Sequence, residues 1–285
     1  MAIQEKIDTI EQELKQYFVE RDEPIHGLLN AWFSGSNVLF LGSPGTAKSA
    51  LISASTMHIK ESTAFLWLLH KFSTPEEILG PFSLKALEED AYRRVTVNKL
   101  PDADVAFLDE IFKSNAGLLN SLLTILNERA FHNDGQLIPL DLLYLAAASN
   151  EVPDPEDNLE ALYDRFNLRY VIKPIEEQGN FDLMLQSGDY TPTTFITRNE
   201  LLQGRSEVAE VAVPSIVRDL VIKLRAKCIS EGLIVTDRSF KFAIKLLKTE
   251  AWRAGRNEVN DEDFDVLANM FWQDPTHVRK ARSIV

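Results

Sequence analysis

The sequence of 285 residues predicts an α/β fold in which a parallel sheet is followed by a smaller, all-helical domain. Up to residue 175, short continuous apolar runs alternate with helical stretches, a pattern typical of parallel strands that are buried on both faces. The next stretch is polar and interrupted by glycine and proline, and beyond it the apolar residues recur only at helical spacing. We therefore divide the chain into an α/β domain (1–175), an irregular linker (176–212) and a helical domain (213–285).

Composition and charge are those of a soluble globular protein. Hydrophobic residues make up 45% and charged residues 26% of the chain, which excludes collagen-like, disordered and disulfide-rich classes. The net charge is −13, and an acidic surface repels phosphate backbones, so nucleic acid is disfavoured as a partner. The N-terminus is charged throughout, and no apolar run reaches the length of a membrane span, so we expect a cytoplasmic protein.

The α/β domain is predicted to begin with a helix and to contain five strands. Apolar residues recur at helical spacing from Ile3 to Tyr17, which predicts a helix packed on the domain. A further helix is predicted over 115–128, where leucines form one apolar stripe and Ser114 precedes it as a candidate N-cap. The strands are predicted at the five apolar runs, 37–41, 64–69, 105–108, 142–148 and 170–172.

Two segments are predicted to project from the sheet. Residues 78–101 contain a long charged stretch, which we interpret as an insertion at the rim of the sheet. Residues 131–140 have Asn133, Asp134 and Gly135 at their centre, and this turn chemistry between two short segments predicts a β-hairpin.

Three helices are predicted in the helical domain. Pro214 stands at the start of the first, where its fixed φ is favourable, and Cys228, the only cysteine, lies on its apolar face as expected core filler. Asp237 is the expected cap of the second helix and Gly255 its expected C-cap. The third helix follows Asn260.

A glycine-rich loop joins the first predicted strand to a helix that begins near Ser49. In this context several backbone N–H groups and the helix N-terminus can surround phosphates, with Lys48 on the β- and γ-phosphates and the Ser49 hydroxyl on Mg²⁺. Ala47 stands where the general GxxxxGK[ST] string has its last glycine, and a methyl group is tolerable there if the backbone is near-helical. The candidate nucleotide-binding residues of the loop are Gly42, Ser43, Pro44, Gly45, Thr46, Ala47, Lys48 and Ser49.

Polar side chains follow two of the predicted strands. Asp109 and Glu110 come directly after the third strand, and the carboxyl ends of parallel strands share one edge with the glycine-rich loop. Asp109 can hold a water on Mg²⁺, and Glu110 can orient or deprotonate an attacking water. Asn150 ends the next strand and can hydrogen-bond that water and the γ-phosphate. The alternatives are two surface acids and a turn-forming asparagine.

Three arginines are candidate anion contacts. Arg165 and Arg169 lie four residues apart, and the alternative is that they pair with the acidic residues of 151–164. Arg238 is at the start of a helix, where a cation opposes the helix dipole, and its placement favours a phosphate group nearby.

Five short motifs resemble those of the AAA+ ATPases. They resemble most closely the MoxR branch and, within it, the RavA-like proteins, whose signatures are similar to residues 72–87, 108–135 and 147–166. The motifs are GSPGTAKS (42–49), VAFLDE (105–110), ASN (148–150), YDRF (163–166) and TDRSF (236–240).

The resemblance assigns expected roles to these positions. Residues 42–49 would be Walker A, and Asp109 and Glu110 would be Walker B, with ATP or ADP and Mg²⁺ as cofactors. Asn150 would be sensor 1, and Arg238 would be sensor 2 on the helical lid. Arg165 would be the arginine finger that reaches a neighbouring subunit, although Arg169 stays open as the trans-acting residue. Residues 78–101 would be the helix-2 insert and 131–140 the pre-sensor-1 hairpin.

The resemblance also implies an assembly and a function. Family members form rings, usually hexamers, act as chaperone-like remodellers of protein complexes, and often work with proteins that carry a von Willebrand factor A domain. The motifs predict an Mg²⁺-dependent ATPase, and the resemblance implies that it acts on protein substrates. The alternatives are a nucleic-acid-stimulated motor, which the charge of −13 disfavours, and a nucleotide-switch scaffold with little turnover, which Glu110 disfavours.

Overall fold

The computed structural model describes residues 2–152 and 160–285. The strands of the described residues are β1 (Val38–Leu41), β2 (Ile59–Lys60), β3 (Ala64–Leu68), β4 (Val105–Asp109), β5 (Ala130–Asn133), β6 (Gln136–Pro139), β7 (Tyr144–Ser149), β8 (Leu168–Val171) and β9 (Ile196–Thr197). Five of them form a central parallel sheet in the order β3-β4-β7-β1-β8, so the predicted α/β fold class is confirmed.

Helices surround the sheet and form the second domain. α1 is amphipathic and buries Ile3, Ile7, Ile10 and Leu14 against the domain, as its spacing predicts. The helices of the described residues are α1 (Ile3–Tyr17), α2 (Asp22–Ser34), α3 (Lys48–Met57), α4 (Pro75–Leu79), α5 (Leu84–Leu87), α6 (Ala116–Glu128), α7 (Glu160–Tyr163), α8 (Gln178–Gln186), α9 (Arg198–Glu210), α10 (Ser215–Ser230), α11 (Asp237–Arg253) and α12 (Val278–Ile284).

The strand register brings the polar strand ends together. β1 lies between β7 and β8, with Leu41 opposite Ser149 and Val171, and β4 lies beside β7. All residues of β1 and β7 are buried because neighbouring layers cover both faces, which explains their continuous apolar sequences. The loops after β1, β4 and β7 therefore leave the sheet at the same edge.

The segment 176–212 differs from the prediction, because it contains the helices α8 and α9 rather than irregular chain. Thr197 and Glu200 form a capping box at the start of α9, a T-x-x-E signal that is readable in the sequence. Gly204 allows close packing, since a Cβ atom there would lie 2.5 Å from the Phe33 ring. The domain limits at 175 and 213 stay a prediction.

The predicted hairpin is confirmed and is tied to the predicted insertion. β5 and β6 pair antiparallel, and Asp134 and Gly135 have φ of 53° and 70°, as the turn requires. The side chain of Asn133 accepts a hydrogen bond from the Arg94 backbone N–H at 2.7 Å. Asp134 likewise accepts from the Tyr92 N–H at 3.0 Å. Residues of the insertion thus pack beside the hairpin.

Two helix N-caps and the type of one helix differ from the sequence interpretation. Asn115, not Ser114, caps α6 by accepting from the Leu118 N–H at 3.0 Å. Thr236, not Asp237, caps α11 by accepting from the Ser239 N–H at 3.2 Å. The predicted third helix of the second domain is a 3₁₀ segment, Asp261–Asn269.

The expected position of Pro214 is borne out, since it is the N-cap of α10. The C-cap of α11 is Ala254 rather than the expected Gly255, which follows it in the left-handed region with φ 72°. Cys228 is fully buried, and burial raises the pKa of its thiol, which fits core filler. Across the described parts of the chain, no helix has the length and hydrophobicity needed to cross a bilayer.

Candidate active site

The glycine-rich loop starts where β1 meets its two neighbours. The Gly42 N–H donates to the Ser149 carbonyl at 3.2 Å, which fixes the loop to the end of β7. A Cβ atom at Gly42 would lie 2.1 Å from the backbone oxygen of Ile172. Only glycine fits there, because the chain after β8 passes directly against it.

Two residues of the loop have left-handed backbone conformations. Gly45 has φ of 79° and Ala47 has φ of 63° and ψ of 21°. The condition under which the sequence analysis considers a methyl group tolerable here, a near-helical backbone, is therefore not met in the right-handed sense, because Ala47 is left-handed. That conformation costs an alanine roughly 1–2 kcal/mol, and it turns the chain into α3, whose first residue is Lys48.

Lys48 links the loop to the end of β7. Its ammonium donates to the Gly42 carbonyl at 2.7 Å, the Ser43 carbonyl at 2.9 Å and Asn150 Oδ1 at 2.8 Å. Burial lowers the pKa of Lys48, while the charges of Glu110 and Asp109 act to raise it. In glycine-rich loops that bind a nucleotide, the lysine at this position reaches the β- and γ-phosphates.

Ser49 and Asp109 form a pair of oxygen ligands. The Ser49 hydroxyl donates to Asp109 Oδ2 at 2.5 Å, and Asp109 Oδ1 accepts from the Glu110 N–H at 2.9 Å. Within the described ranges, no cluster of three or more His, Cys, Asp or Glu residues could hold a metal. The pair fits Mg²⁺, which binds through one or two protein oxygens and completes its shell with phosphates and waters.

Glu110 is held in an unusual conformation beside Asn150. Its φ is 53°, a left-handed backbone that redirects its side chain at the end of β4. Oε1 contacts the Asn150 amide and lies 3.1 Å from Lys113 Nζ. Oε2 is buried and, among the described residues, has no hydrogen-bond partner. A buried carboxylate oxygen without a partner can accept a proton from a bound water.

Most of these residues line one cleft of about 270 Å³, but the candidate residues Gly42 and Ser43 are not among its described lining. The sequence-predicted Walker A, Walker B and sensor 1 positions therefore lie together, at the carboxyl edge of three neighbouring strands. Neither Arg165 nor Arg238 is among the described residues that line it, which are 44–50, Asp109, Glu110 and Asn150.

Arg165 and Arg238 meet each other instead, at Asp164. Asp164 Oδ2 lies 3.2 Å from Arg165 Nη1 and 3.5 Å from Arg238 Nη1. Burial lowers the pKa of Arg165, and the charge of Arg238 lowers it further. The structure thus brings the two arginines together but keeps them outside the cleft.

Arg169 has a structural position. It is 4% exposed, donates to the Met270 carbonyl at 2.5 Å, and packs over the rings of Tyr163 and Trp272. It joins β8 to the helical domain. Of the two residues that the sequence leaves open, Arg169 is thus enclosed, whereas the Arg165 side chain is 17% exposed.

A larger cavity of about 700 Å³ lies beside the loop, between the α/β and helical domains. Its wall includes Ile172, whose N–H donates to the Leu41 carbonyl at 2.6 Å, directly before Gly42. Arg21, also in the wall, donates to the Lys173 carbonyl at 2.6 Å. Sequence reasoning missed this cavity because its lining comes from the distant segments 20–24, 170–176 and 269–282, with no local motif.

Comparison with known proteins gives two family-model matches. Residues 5–210 match the MoxR domain of MoxR-vWA-beta-propeller ternary systems, and residues 216–285 match an AAA lid domain.

Several relatives are similar to the chain. One uncharacterized protein of Methanocaldococcus jannaschii is 37% identical over 276 residues, which is 96% of this chain and 73% of the relative. A second uncharacterized protein of the same organism is 38% identical over 274 residues, which is 95% of this chain and 71% of the relative. A structural protein of Acidianus two-tailed virus is 30% identical over 72% of this chain and 36% of its own length. The solved structure of a candidate ATPase from Cytophaga hutchinsonii matches this chain with a TM-score of 0.76 at 17% sequence identity. The match covers 99% of this chain and 95% of that chain, so the two share a fold.

Proposed function

The chain belongs to the MoxR family of AAA+ ATPases, and from this premise we propose that it binds ATP and hydrolyses it with Mg²⁺ in the cleft after β1, β4 and β7. One observation carries the proposal. Ser49 contacts Asp109, while Lys48 contacts Asn150 and Asn150 contacts Glu110, so that groups from three separate strand ends face one small space. Groups of this kind suit a triphosphate, a metal and a water.

Binding uses the loop and the start of α3. The backbone N–H groups of residues 42–49 and the positive end of the α3 dipole attract the phosphates. Lys48 exchanges its contacts with the Gly42 and Ser43 carbonyls for the β- and γ-phosphates. Ser49 and Asp109 would hold Mg²⁺, which would neutralise charge on those phosphate oxygens.

Hydrolysis is the direct attack of a water on the γ-phosphate, which gives ADP and phosphate. Glu110 orients the water and accepts its proton on Oε2, the oxygen that has no partner among the described residues. Asn150 fixes the carboxylate through Oε1 and contacts the γ-phosphate. Arg165 of a neighbouring subunit compensates the charge of the transition state, an effect worth about 10³–10⁵ in rate in related phosphoryl transfers.

The nucleoside is assigned to the cavity between the domains. Its volume of about 700 Å³ lies within the range of roughly 300–1,000 Å³ that small-molecule sites have. It begins beside Gly42, because Ile172 borders both the loop and the cavity. A nucleotide bound in this way would contact both domains, so binding would affect their relative position.

We further propose a homo-oligomeric ring, a hexamer by resemblance, that remodels protein complexes as a chaperone in the cytoplasm. The family model that matches residues 5–210 is drawn from systems that also contain vWA and beta-propeller proteins, which supports a von Willebrand factor A domain protein as partner. The insertion and hairpin expose large apolar side chains that suit a protein substrate, namely Phe82, Leu84, Tyr92, Val97 and Leu137.

Two variants test the proposed activity. Lys48→Ala should lose ATP binding, measured by equilibrium titration, whereas Glu110→Gln should bind ATP and release phosphate at least about 10²-fold more slowly. The exposed residues Lys85 and Glu89 give the matched controls Lys85→Ala and Glu89→Gln, which should behave as wild type. If Glu110→Gln released phosphate at the wild-type rate, Glu110 would not be the group that accepts the proton of the attacking water.

A further inference from the structure

The helix α8 presents apolar side chains that the rest of the described chain does not cover. None of its residues is buried within that part of the chain, and Phe181 is 48% and Leu185 65% exposed. These two residues are four positions apart, so they lie on the same side of the helix. An exposed apolar stripe along a helix is typical of a contact with another molecule.

α8 is nevertheless held in place, because hydrogen bonds fix the chain at both of its ends. Before the helix, the Glu20 carboxylate accepts from the Glu176 N–H at 2.8 Å and from the Glu177 N–H at 2.9 Å. After it, the Tyr17 hydroxyl donates to the Gly188 carbonyl at 2.8 Å. The stripe is therefore preordered, and a partner that covers it loses little free energy to the ordering of this segment.

The segment around α8 is acidic as well as apolar. Residues 176–189 contain four acidic residues and no lysine, arginine or histidine. The acidic residues, all of them exposed, are Glu176, Glu177, Asp182 and Asp189. Charges across an interface are complementary in sign, so the surface that covers α8 is expected to be basic and apolar.

The helix α10 offers such a surface. Ile222 is 65% and Ile229 53% exposed, and they lie about two helical turns apart, which places them on one side of the helix as a second apolar stripe. Arg225 lies between them in the sequence. α10 contains four basic residues and one acidic residue, in a chain whose net charge is −13. The basic residues, all of them exposed, are Arg218, Lys223, Arg225 and Lys227.

α8 and α10 are attached to different parts of the molecule. α8 is held by Tyr17 and Glu20, beside the N-terminal helices, whereas α10 packs in the helical domain, where Lys227 donates to the Ile284 carbonyl at 3.4 Å. Both apolar stripes are exposed within one copy, so they do not cover each other there. Two different patches that complement each other allow a head-to-tail contact, in which each copy uses α8 on one side and α10 on the other.

We propose that α8 of one copy docks on α10 of a second copy, so that Phe181 and Leu185 pack against the apolar stripe of α10. The acidic residues of α8 then lie beside the basic residues of α10. The inference rests on the homo-oligomer proposed above, to which it assigns a contact surface, and it does not depend on ATP hydrolysis.

Charge reversal on each helix tests the contact. Asp182→Arg and Arg225→Asp are made separately in the full chain, and assembly is measured by sedimentation velocity with and without Mg²⁺ and ATP. Each variant alone should assemble at least about tenfold more weakly than wild type, because like charges then face each other across the contact. The exposed residues Glu210 and Lys241 give the matched controls Glu210→Arg and Lys241→Asp, which should assemble as wild type.

An equimolar mixture of the two reversal variants should regain wild-type assembly. When the variants alternate, each contact pairs either two unchanged helices or two reversed ones, and both combinations join opposite charges. Arg225 contacts the exposed Asp237 in its own chain, an ion pair that contributes little to the fold, and two variants that had failed to fold would not restore each other. Assembly of either variant at wild-type strength, or a mixture that stays unassembled, would overturn the inference.

The same samples separate failure of the inference from failure of the proposed function. ATP binding in equilibrium titrations should be unchanged in both reversal variants, because neither Asp182 nor Arg225 is in the described lining of the cleft or of the larger cavity. A wild type that hydrolyses ATP but stays a monomer would overturn the inference and the homo-oligomer, and a different protein would then be the occupant of α8 and α10. A wild type that assembles through these helices without binding ATP would support the inference and overturn the proposed ATPase.

Discussion

His26 is the centre of a polar cluster that fixes the helical domain to the N-terminal helices. Its Nδ1 lies 3.1 Å from Glu11 Oε1 on α1, and its Nε2 lies 2.9 Å from Glu250 Oε1 on α11. Arg253, also on α11, contacts Glu11 and donates to Asn30 Oδ1 at 2.8 Å. The cluster therefore connects the first two helices with the helix that carries Arg238 at its other end.

The charge state of His26 determines the strength of this connection. Burial alone would lower the pKa of His26, but hydrogen bonds with Glu11 and Glu250 outweigh burial and raise it from 6.5 to about 9. A pKa that is raised by folding contributes stability that is complete below the unfolded value of 6.5 and is lost as pH rises through about 9. At about 1.4 kcal/mol per pKa unit, the raised pKa of His26 can contribute at most about 3 kcal/mol to the free energy of unfolding.

Solvent reduces this contribution, since the His26 side chain is 35% exposed. We expect about 1–2 kcal/mol after allowing for screening. The contribution of His26 to the free energy of unfolding is measured by urea unfolding of the wild type and of His26→Gln at pH 6.5 and pH 9.5. The stability difference between the two proteins should shrink by that amount at the higher pH, and His132→Gln, at an exposed histidine, should show no comparable change. A difference that stays constant across this pH range would refute the linkage.

Three further predictions concern packing and partners. Gly42→Ala should abolish ATP binding in equilibrium titrations, because its Cβ would lie 2.1 Å from the Ile172 oxygen, whereas Gly179→Ala, with open space, should bind normally. Gly204→Ala should lower the free energy of unfolding in urea by about 1–3 kcal/mol, because its Cβ would lie 2.5 Å from the Phe33 ring; unchanged stability would contradict that packing. DNA or RNA should leave phosphate release unchanged at low and high salt, and salt-sensitive stimulation would favour the nucleic-acid motor instead.

Local sequence patterns predicted the sheet and the cleft well. The strands are short apolar runs bounded by loops, and the residues after them share one sheet edge whatever the details of packing. The positions of Lys48, Asp109, Glu110 and Asn150 follow from that topology alone. The hairpin was predictable for a similar reason, because its turn residues allow the positive φ that the turn needs.

Features that depend on contacts between distant segments were not predictable. The His26 cluster combines residues from α1, α2 and α11, and no local pattern marks it. The proximity of Arg165 and Arg238 depends on how the helical domain packs against the sheet, which the sequence leaves open. The two helices in 176–212 are a different case, since the capping box of Thr197 and Glu200 is a local signal, whereas the nearby glycines and proline favour irregular chain.

The fate of ATP bound to the protein tests the central claim most directly. The protein is loaded with ATP and Mg²⁺, free nucleotide is removed, and the bound nucleotide is separated by chromatography over time. Wild type should convert its ATP to ADP, and Glu110→Gln should retain ATP, because the carboxylate that accepts the proton of the attacking water is gone. Conversion at the same rate in both proteins, or no bound nucleotide in wild type, would contradict hydrolysis at this cleft.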